Sequence, residues 1–253
     1  MPVYFKFAIT TMTVLVTGGT GKTGLILSRL LKEANQSVLI CSRSGTAPSP
    51  YKAVKFDWFD DNTFDNPFKT DPNIDRVYLI VPSVVGQLSS IKPFIDLAIS
   101  KGVKRFVLLT ASQAEIGSPV LMGKVHEYLL NIKVDYTVLR PTWFIRTFFS
   151  VQISYLKASA DKTFTENFGT TFHQSICEQN EIYGVAKDGR IPFVSTEDIA
   201  QAAFDALVSE QSPNKDYYVV GPELFSYDEA SKSNSKSSGN VCTLTATYRR
   251  LNF

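Results

Sequence analysis

The sequence predicts an α/β protein built on a doubly wound parallel sheet, with a small lobe added near the C-terminus. Three observations predict it. Short apolar runs alternate with helix-like stretches through the first 140 residues. A turn with regularly spaced glycines joins the first apolar run to the first helix. After Pro141 the alternation gives way to a segment crowded with aromatic and polar side chains.

The strand-like runs are residues 14–16, 37–41, 53–56, 76–81, 105–110 and 135–139. They are almost continuously apolar, as strands covered on both faces are. The helix-like stretches are 23–34, 87–101 and 121–131. Right-handed crossovers place such helices on the two faces of one sheet. Beyond Pro141, Trp143, Phe144, Phe148 and Phe149 crowd together, and 163–190 mixes aromatic, polar and charged residues. This stretch reads as a substrate lobe starting at about residue 142. Residues 191–194 lead into Ser195-Thr196-Glu197-Asp198, where Ser195 or Thr196 caps a helix over 199–209 and acids occupy its first turn. A further strand is expected at 217–220 and the start of a helix at 227–230. Residues 231–240 contain five Ser and almost nothing apolar, so 231–253 reads as a disordered tail. Residues 1–11 read as an extension, which leaves 12–230 as one domain with its lobe.

The bulk numbers narrow the function. A chain of 253 residues accommodates one α/β domain and a small lobe. A net charge of +2 implies neither nucleic acid nor an anionic membrane as partner. No apolar run is long enough to span a bilayer, and the first residues lack a signal-peptide layout. Cys41, Cys177 and Cys242 are scattered, and only His126 and His173 add imidazoles. That pattern argues against a zinc site or a disulfide framework and fits a reducing, cytoplasmic setting.

The turn carries the chemistry. Gly18, Gly21 and Gly24 follow Val14-Leu15-Val16 and open the helix, in the spacing G-x-x-G-x-x-G. Glycines let the backbone turn sharply, and a helix N-terminus offers unpaired N–H groups with a partial positive charge. Strand, turn and helix together predict a dinucleotide cradle of the NAD(P)-binding Rossmann type. Gly21-Lys22-Thr23 imitates the end of a P-loop, but Val16 stands where that motif needs its first glycine. The second strand ends Cys41-Ser42-Arg43-Ser44, without the acid that accepts from a ribose 2′-OH. Arg43 is suited to pair a 2′-phosphate, with Ser42 and Ser44 adding hydroxyls and Lys22 adding charge. NADP(H) is therefore the expected cofactor, and NAD(H) the alternative. Asp57, after the third strand, meets the adenine edge or serves as a turn residue with Asp60 and Asp61. Val81 and Pro82 are expected to flank the nicotinamide ribose. Thr23 and Thr110, in the turn and after the fifth strand, complete the cofactor residues read from position.

The cradle, Arg43, Thr110-Ala111-Ser112 and Leu139-Arg140-Pro141-Thr142-Trp143-Phe144 resemble NmrA-like, atypical short-chain dehydrogenases. The ordered set extends through Ile40-Cys41-Ser42-Arg43-Ser44-Gly45, Met122-Gly123-Lys124-Val125-His126, Gly189-Arg190-Ile191-Pro192-Phe193-Val194-Ser195 and Tyr217-Tyr218-Val219-Val220-Gly221-Pro222-Glu223-Leu224. In this it is similar to the fungal festuclavine and agroclavine dehydrogenases of ergot alkaloid biosynthesis, over about residues 12–230. The resemblance implies an oxidoreductase that reduces a cyclic iminium of a clavine alkaloid to an amine. Alternatives are a non-catalytic dinucleotide-binding regulator and a quinone or enone reductase.

One absence bears on that chemistry. Ordinary short-chain dehydrogenases protonate a carbonyl oxygen with the Tyr of Tyr-x-x-x-Lys, beside a Ser. Ser112 and Lys124 fit two of those roles, but Val120 stands four residues before Lys124, and Tyr128 follows it instead. A ketone reduction would lack its acid, whereas an iminium carbon takes hydride and leaves a neutral amine. No catalytic acid or base is therefore assigned. Lys124 is expected at the cofactor and Ser112 at the substrate. For a cationic polycyclic substrate, Trp143, Phe144, Phe164 and Phe168 are candidate walls and Glu166 a candidate counter-anion; a plain core cluster and a solvated acid are the alternative readings. His126 reads as a packing residue. The resemblance also implies further elements after Glu223-Leu224, where this sequence turns Ser/Lys-rich, and so a more open lobe.

Overall fold

All four residues of the first strand, Thr13–Val16 (β1), are buried. In the computed structural model β1 lies inside a seven-stranded sheet. The structure describes residues 12–82, 88–120, 122–143, 189–226 and 229, and the backbone of 181–184 and 245–248. Two compact units make up the chain, 1–140 with 199–218 and 141–198 with 219–253.

The first unit contains the sheet. β2 (Ser37–Ser42) and β3 (Lys52–Lys55) extend it to one side of β1, and β4 (Ile74–Leu79), β5 (Arg105–Leu109) and β6 (Asp135–Pro141) to the other. The five pairings among these six strands are all parallel. Val16 is in register with Ile40 on one flank and Tyr78 on the other. The order 3-2-1-4-5-6 reverses direction between β1 and β4, and such a reversal opens a crevice at the carboxyl ends of the strands.

Helical spacing decides which faces the sheet receives. α1 (Lys22–Glu33) buries Thr23, Gly24, Leu27, Ser28 and Leu31. A short helix after β3, α2 (Asn66–Thr70), carries Pro67 near its start, where a missing N–H costs nothing. α3 (Leu88–Ser100) buries Ile91, Phe94, Ile95 and Ala98, and α4 (Gly123–Asn131) buries Val125, His126 and Leu129. Phe94 is fully buried among Phe56, Trp58 and Phe64, at centroid distances of 5.0, 5.3 and 5.6 Å. Each such ring contributes about 1.5–3 kcal/mol through burial. This aromatic cluster anchors the chain that crosses from β3 to β4.

In the second unit β7 (Glu181–Gly184) is paired in parallel with a strand at Thr245–Tyr248, and β8 (Ile191–Pro192) is paired antiparallel with Leu224–Phe225. Ser195 Oγ accepts from Asp198 N at 2.9 Å and so caps α5 (Thr196–Val208), with Glu197 and Asp198 in its first turn. β9 (Lys215–Val219) adjoins β6 as the last strand of the sheet; the strands at Leu224–Phe225 and Thr245–Tyr248 are β10 and β11. β11 falls within the stretch read from sequence as a disordered tail. The remainder of that stretch, and all of 227–230 but Glu229, lie outside the described residues.

Candidate functional site

Thr17, wholly buried, locks the carboxyl ends of β1 and β4 together. Its N–H donates to Tyr78 O at 3.1 Å, and its Oγ1 accepts from Ile80 N at 2.7 Å while lying 3.0 Å from both Tyr78 O and Ile80 O. The chain then turns through Gly18, whose φ of +62° is the left-handed conformation that glycine adopts without strain. Gly21 N donates to Gly18 O at 2.9 Å and closes the turn. Gly24 lets α1 press against that turn, since a Cβ there would stand 2.6 Å from Gly18 O.

Gly21 occupies the N-cap of α1 without any side chain to accept from the helix, and no acid lies in the first turn. The helix opening therefore keeps its partial positive charge without a capping side chain from its N-cap residue. Lys22 is exposed at this end. Thr23 is buried, and its hydroxyl meets Tyr78 Oη at 3.4 Å, so this residue faces the sheet. A diphosphate fits such a donor set.

The loop after β2 is held by its own hydroxyls. Ser42 Oγ donates to Thr46 O at 2.7 Å, and Ser44 Oγ lies 2.7 Å from Thr46 Oγ1. Arg43 between them is exposed and forms no ion pair among the described residues. Asp57 shapes the turn after β3: its Oδ1 accepts from Phe59 N at 3.0 Å, and its own N–H donates to Thr63 Oγ1 at 2.9 Å. Trp58 Nε1 donates to Ile80 O at 3.1 Å and fastens this turn to the end of β4. Val81 is half-buried and Pro82 exposed just beyond. After β5, Thr110 N donates to Leu139 O at 2.9 Å, and Ser112 is half-buried. The reversal thus gathers Gly18, Gly21, Arg43, Asp57, Val81, Thr110 and Ser112 at the carboxyl ends of five neighbouring strands. Lys124, exposed at the start of α4, pairs with Glu127 at 3.0 Å. Trp143 is half-buried, and its carbonyl accepts from Val194 N at 2.9 Å. Phe144, Phe164, Glu166 and Phe168 lie outside the described residues. No cluster of His, Cys, Asp and Glu suited to a metal occurs among the described residues, and none of their helices is long and apolar enough to cross a membrane.

A charged group that sequence reasoning missed stands beside Ser112. Arg140, on β6 and 5% exposed, donates to Asp216 Oδ2 at 2.8 Å, to Ser112 O at 2.9 Å and to Glu115 Oε1 at 3.1 Å. Its guanidinium lies 4.5 Å from the centroid of the Tyr218 ring. The Arg140 hydrogen bond holds the Asp216 carboxyl below its ordinary pKa. Burial pulls Arg140 down, but Asp216 and Glu115 outweigh it and the guanidinium ends above its usual value. Burial also pushes the His126 imidazole down. An Arg directly after the apolar Val138-Leu139 was the available signal.

No family model matches the chain. The agroclavine dehydrogenase of Claviceps fusiformis is 40% identical over 228 residues, covering 87% of this chain and 72% of the relative. The chain belongs to the agroclavine and festuclavine dehydrogenase family. The festuclavine dehydrogenase of Aspergillus fumigatus is 37% identical over 227 residues, 86% of this chain and 71% of that one. Among solved structures, the Citrobacter triphenylmethane reductase complexed with NADP(H) superposes with a TM-score of 0.65 at 20% identity, covering 95% of this chain and 79% of that one. That likeness shows a shared Rossmann-type fold.

This member of the agroclavine and festuclavine dehydrogenase family has no phenol where carbonyl-reducing short-chain dehydrogenases carry one. Val120, four residues before Lys124, is 58% exposed. Tyr128 directs its hydroxyl to Asp96 on α3, and Lys92 Nζ lies 5.0 Å from its ring centroid. Burial and the Asp96 carboxylate raise its pKa.

Proposed function

We propose that this protein reduces the C=N bond of a clavine iminium with NADPH. The observation that carries the reading is the uncapped glycine turn at the opening of α1, in a chain whose relatives are named as agroclavine and festuclavine dehydrogenases. NADPH, when bound, supplies a hydride equivalent. The chain's own residues bind and orient. The amides around Gly18, Gly21 and Gly24 receive the diphosphate, with Lys22 adding charge and Thr23 its backbone N–H. Arg43 meets the 2′-phosphate from a loop already stiffened by Ser42, Ser44 and Thr46. Asp57 faces the adenine, and Val81 and Pro82 wall the nicotinamide ribose, helped by Thr110 and Lys124.

The substrate side needs little acid–base chemistry. Hydride addition to an iminium carbon yields a neutral amine with no oxyanion to protonate. Exposed Val120 suits that reaction, and Tyr128, occupied with Asp96, is not required by it. Ser112, Trp143, Phe144 and Phe168 form the substrate walls, and Glu166 offers a counter-charge to the cation.

The test mixes purified protein, NADPH and a clavine iminium while the absorbance of reduced nicotinamide is followed. Consumption of NADPH with formation of the amine is the expected result. Tight NADPH binding by calorimetry with no consumption on any clavine iminium would overturn the activity. Absence of binding to either nicotinamide nucleotide would overturn the site itself.

A further inference from the structure

We infer that Arg140 is a positioning residue: its guanidinium fixes the 111–120 loop, and with it Ser112 and Val120, at the carboxyl end of β5. This rests on the reading of the reversal crevice as the reaction site.

The loop is irregular and is held by its own backbone and by the start of α4. Ala114 N donates to Ala111 O at 2.9 Å, Ser118 N to Glu115 O at 3.0 Å, and Gly117 N to Gly123 O at 2.9 Å. These bonds shape the loop without tying it to the sheet. Arg140 provides that tie through Ser112 O, and grips the loop again through Glu115. From β9, Asp216 holds the opposite nitrogen, and the guanidinium carbon lies over the Tyr218 ring. The planar fork is therefore oriented from one side and spends its other nitrogen on the loop.

Stability alone is a poor account of this arrangement. Taking a guanidinium out of water is costly, and apolar residues of similar volume often serve a fold as well as a buried ion pair. Arg140 follows Val138 and Leu139, which are 0% and 2% exposed, so an apolar side chain would continue the strand. What an apolar side chain would not supply is a donor to Ser112 O. The loop so fixed carries Ser112 together with two exposed apolar side chains, Ile116 and Val120, 49% and 58% exposed. Where such a loop borders a reaction site its placement matters, because a displacement of about 1 Å at a reacting centre costs on the order of 100-fold in rate.

The experiment compares the native chain with Arg140→Gln and Asp216→Asn. Amide hydrogen exchange across 111–120 should accelerate at least tenfold in Arg140→Gln and less in Asp216→Asn, with exchange across 18–25 and NADPH affinity within twofold of native. In turnover, kcat should fall about tenfold while KM for NADPH stays within twofold. Unchanged loop exchange in both variants overturns the proposal. So does a loosened loop with unaltered kcat, which marks the contact as merely structural. If Arg140→Gln fails to fold, Asp216→Asn decides alone by the same two measurements. If the native chain binds NADPH but reduces no clavine iminium, the activity reading fails, and the exchange experiment still decides whether Arg140 fixes the loop.

Discussion

Thr17 Oγ1 accepts a hydrogen bond from Ile80 N at 2.7 Å, so the strand that feeds the glycine turn and the strand across the reversal end as one piece. Thr17→Val keeps the shape and removes the acceptor, leaving Ile80 N unpaired. A loss of about 1–3 kcal/mol in urea unfolding is expected, together with weaker NADPH binding. Unchanged stability would show that the joint is dispensable.

Gly24→Ala sets two effects against each other. Helix propensity favours Ala by about 1 kcal/mol. The added Cβ, however, would lie 2.6 Å from Gly18 O and 2.8 Å from Gly19 Cα, both backbone atoms with little room to yield. The clash should win, with a lower melting temperature and an NADPH Kd raised at least tenfold by calorimetry. A more stable variant with native affinity would refute the close packing of α1 on the turn.

Arg43→Ala should weaken NADPH by about 10- to 100-fold, the worth of a hydrogen bond to a charged group, and leave NADH nearly untouched. Parallel titrations with both nucleotides read the difference. Equal losses would remove Arg43 from the 2′-phosphate.

Tyr128→Phe should leave iminium reduction within about twofold of native, because that hydroxyl is engaged by Asp96 on the neighbouring helix. A large drop in kcat with intact NADPH binding would restore Tyr128 as a proton donor.

Acid should destabilise the protein in two stages. His126 is 2% exposed, faces Asp216 and Arg140, and is held below its ordinary value by burial. Its unfolded form takes up a proton that the folded form resists, so its contribution is complete above about pH 6.5 and declines below that value. Asp216, depressed by Arg140, adds a second loss only below about pH 3.9. Melting temperatures of native and His126→Gln between pH 7.5 and 5.0 isolate the first stage; the variant should show the shallower slope. Equal slopes would exclude His126 as its source.

Most of the framework was legible in the sequence because it depends on local signals. Apolar strand runs and the glycine turn do not need a partner to be recognised, and the six parallel strands fall within a few residues of their expected places. Arg43 stood out for the same reason, as the residue where an acid would otherwise end β2, and the structure shows it exposed in the loop after that strand. α2 was not, since five residues around Pro67 leave no helical period to read. The Arg140 group was hidden more deeply. Its partners come from two stretches far from it in sequence, Ser112 with Glu115 in one and Asp216 in the other, and only the sheet order brings them together. Asp57 showed the limit of position-based reading: one of its oxygens accepts from Phe59 N in a turn, an event as local as any ligand contact.

The first unit is assembled from two stretches, with residues 141–198 between them. Arg105, 4% exposed on β5, donates to Ala206 O, Ser209 O and Glu210 O, and Arg140 donates to Asp216, so both buried cations take acceptors from the later stretch. A fragment ending at Arg140 would carry the whole glycine turn yet leave Arg105 with Asp135 alone and Arg140 with only its partners in the 111–120 loop. During synthesis the nucleotide-binding half must accordingly wait, incomplete, until the ribosome has delivered residues 199–218.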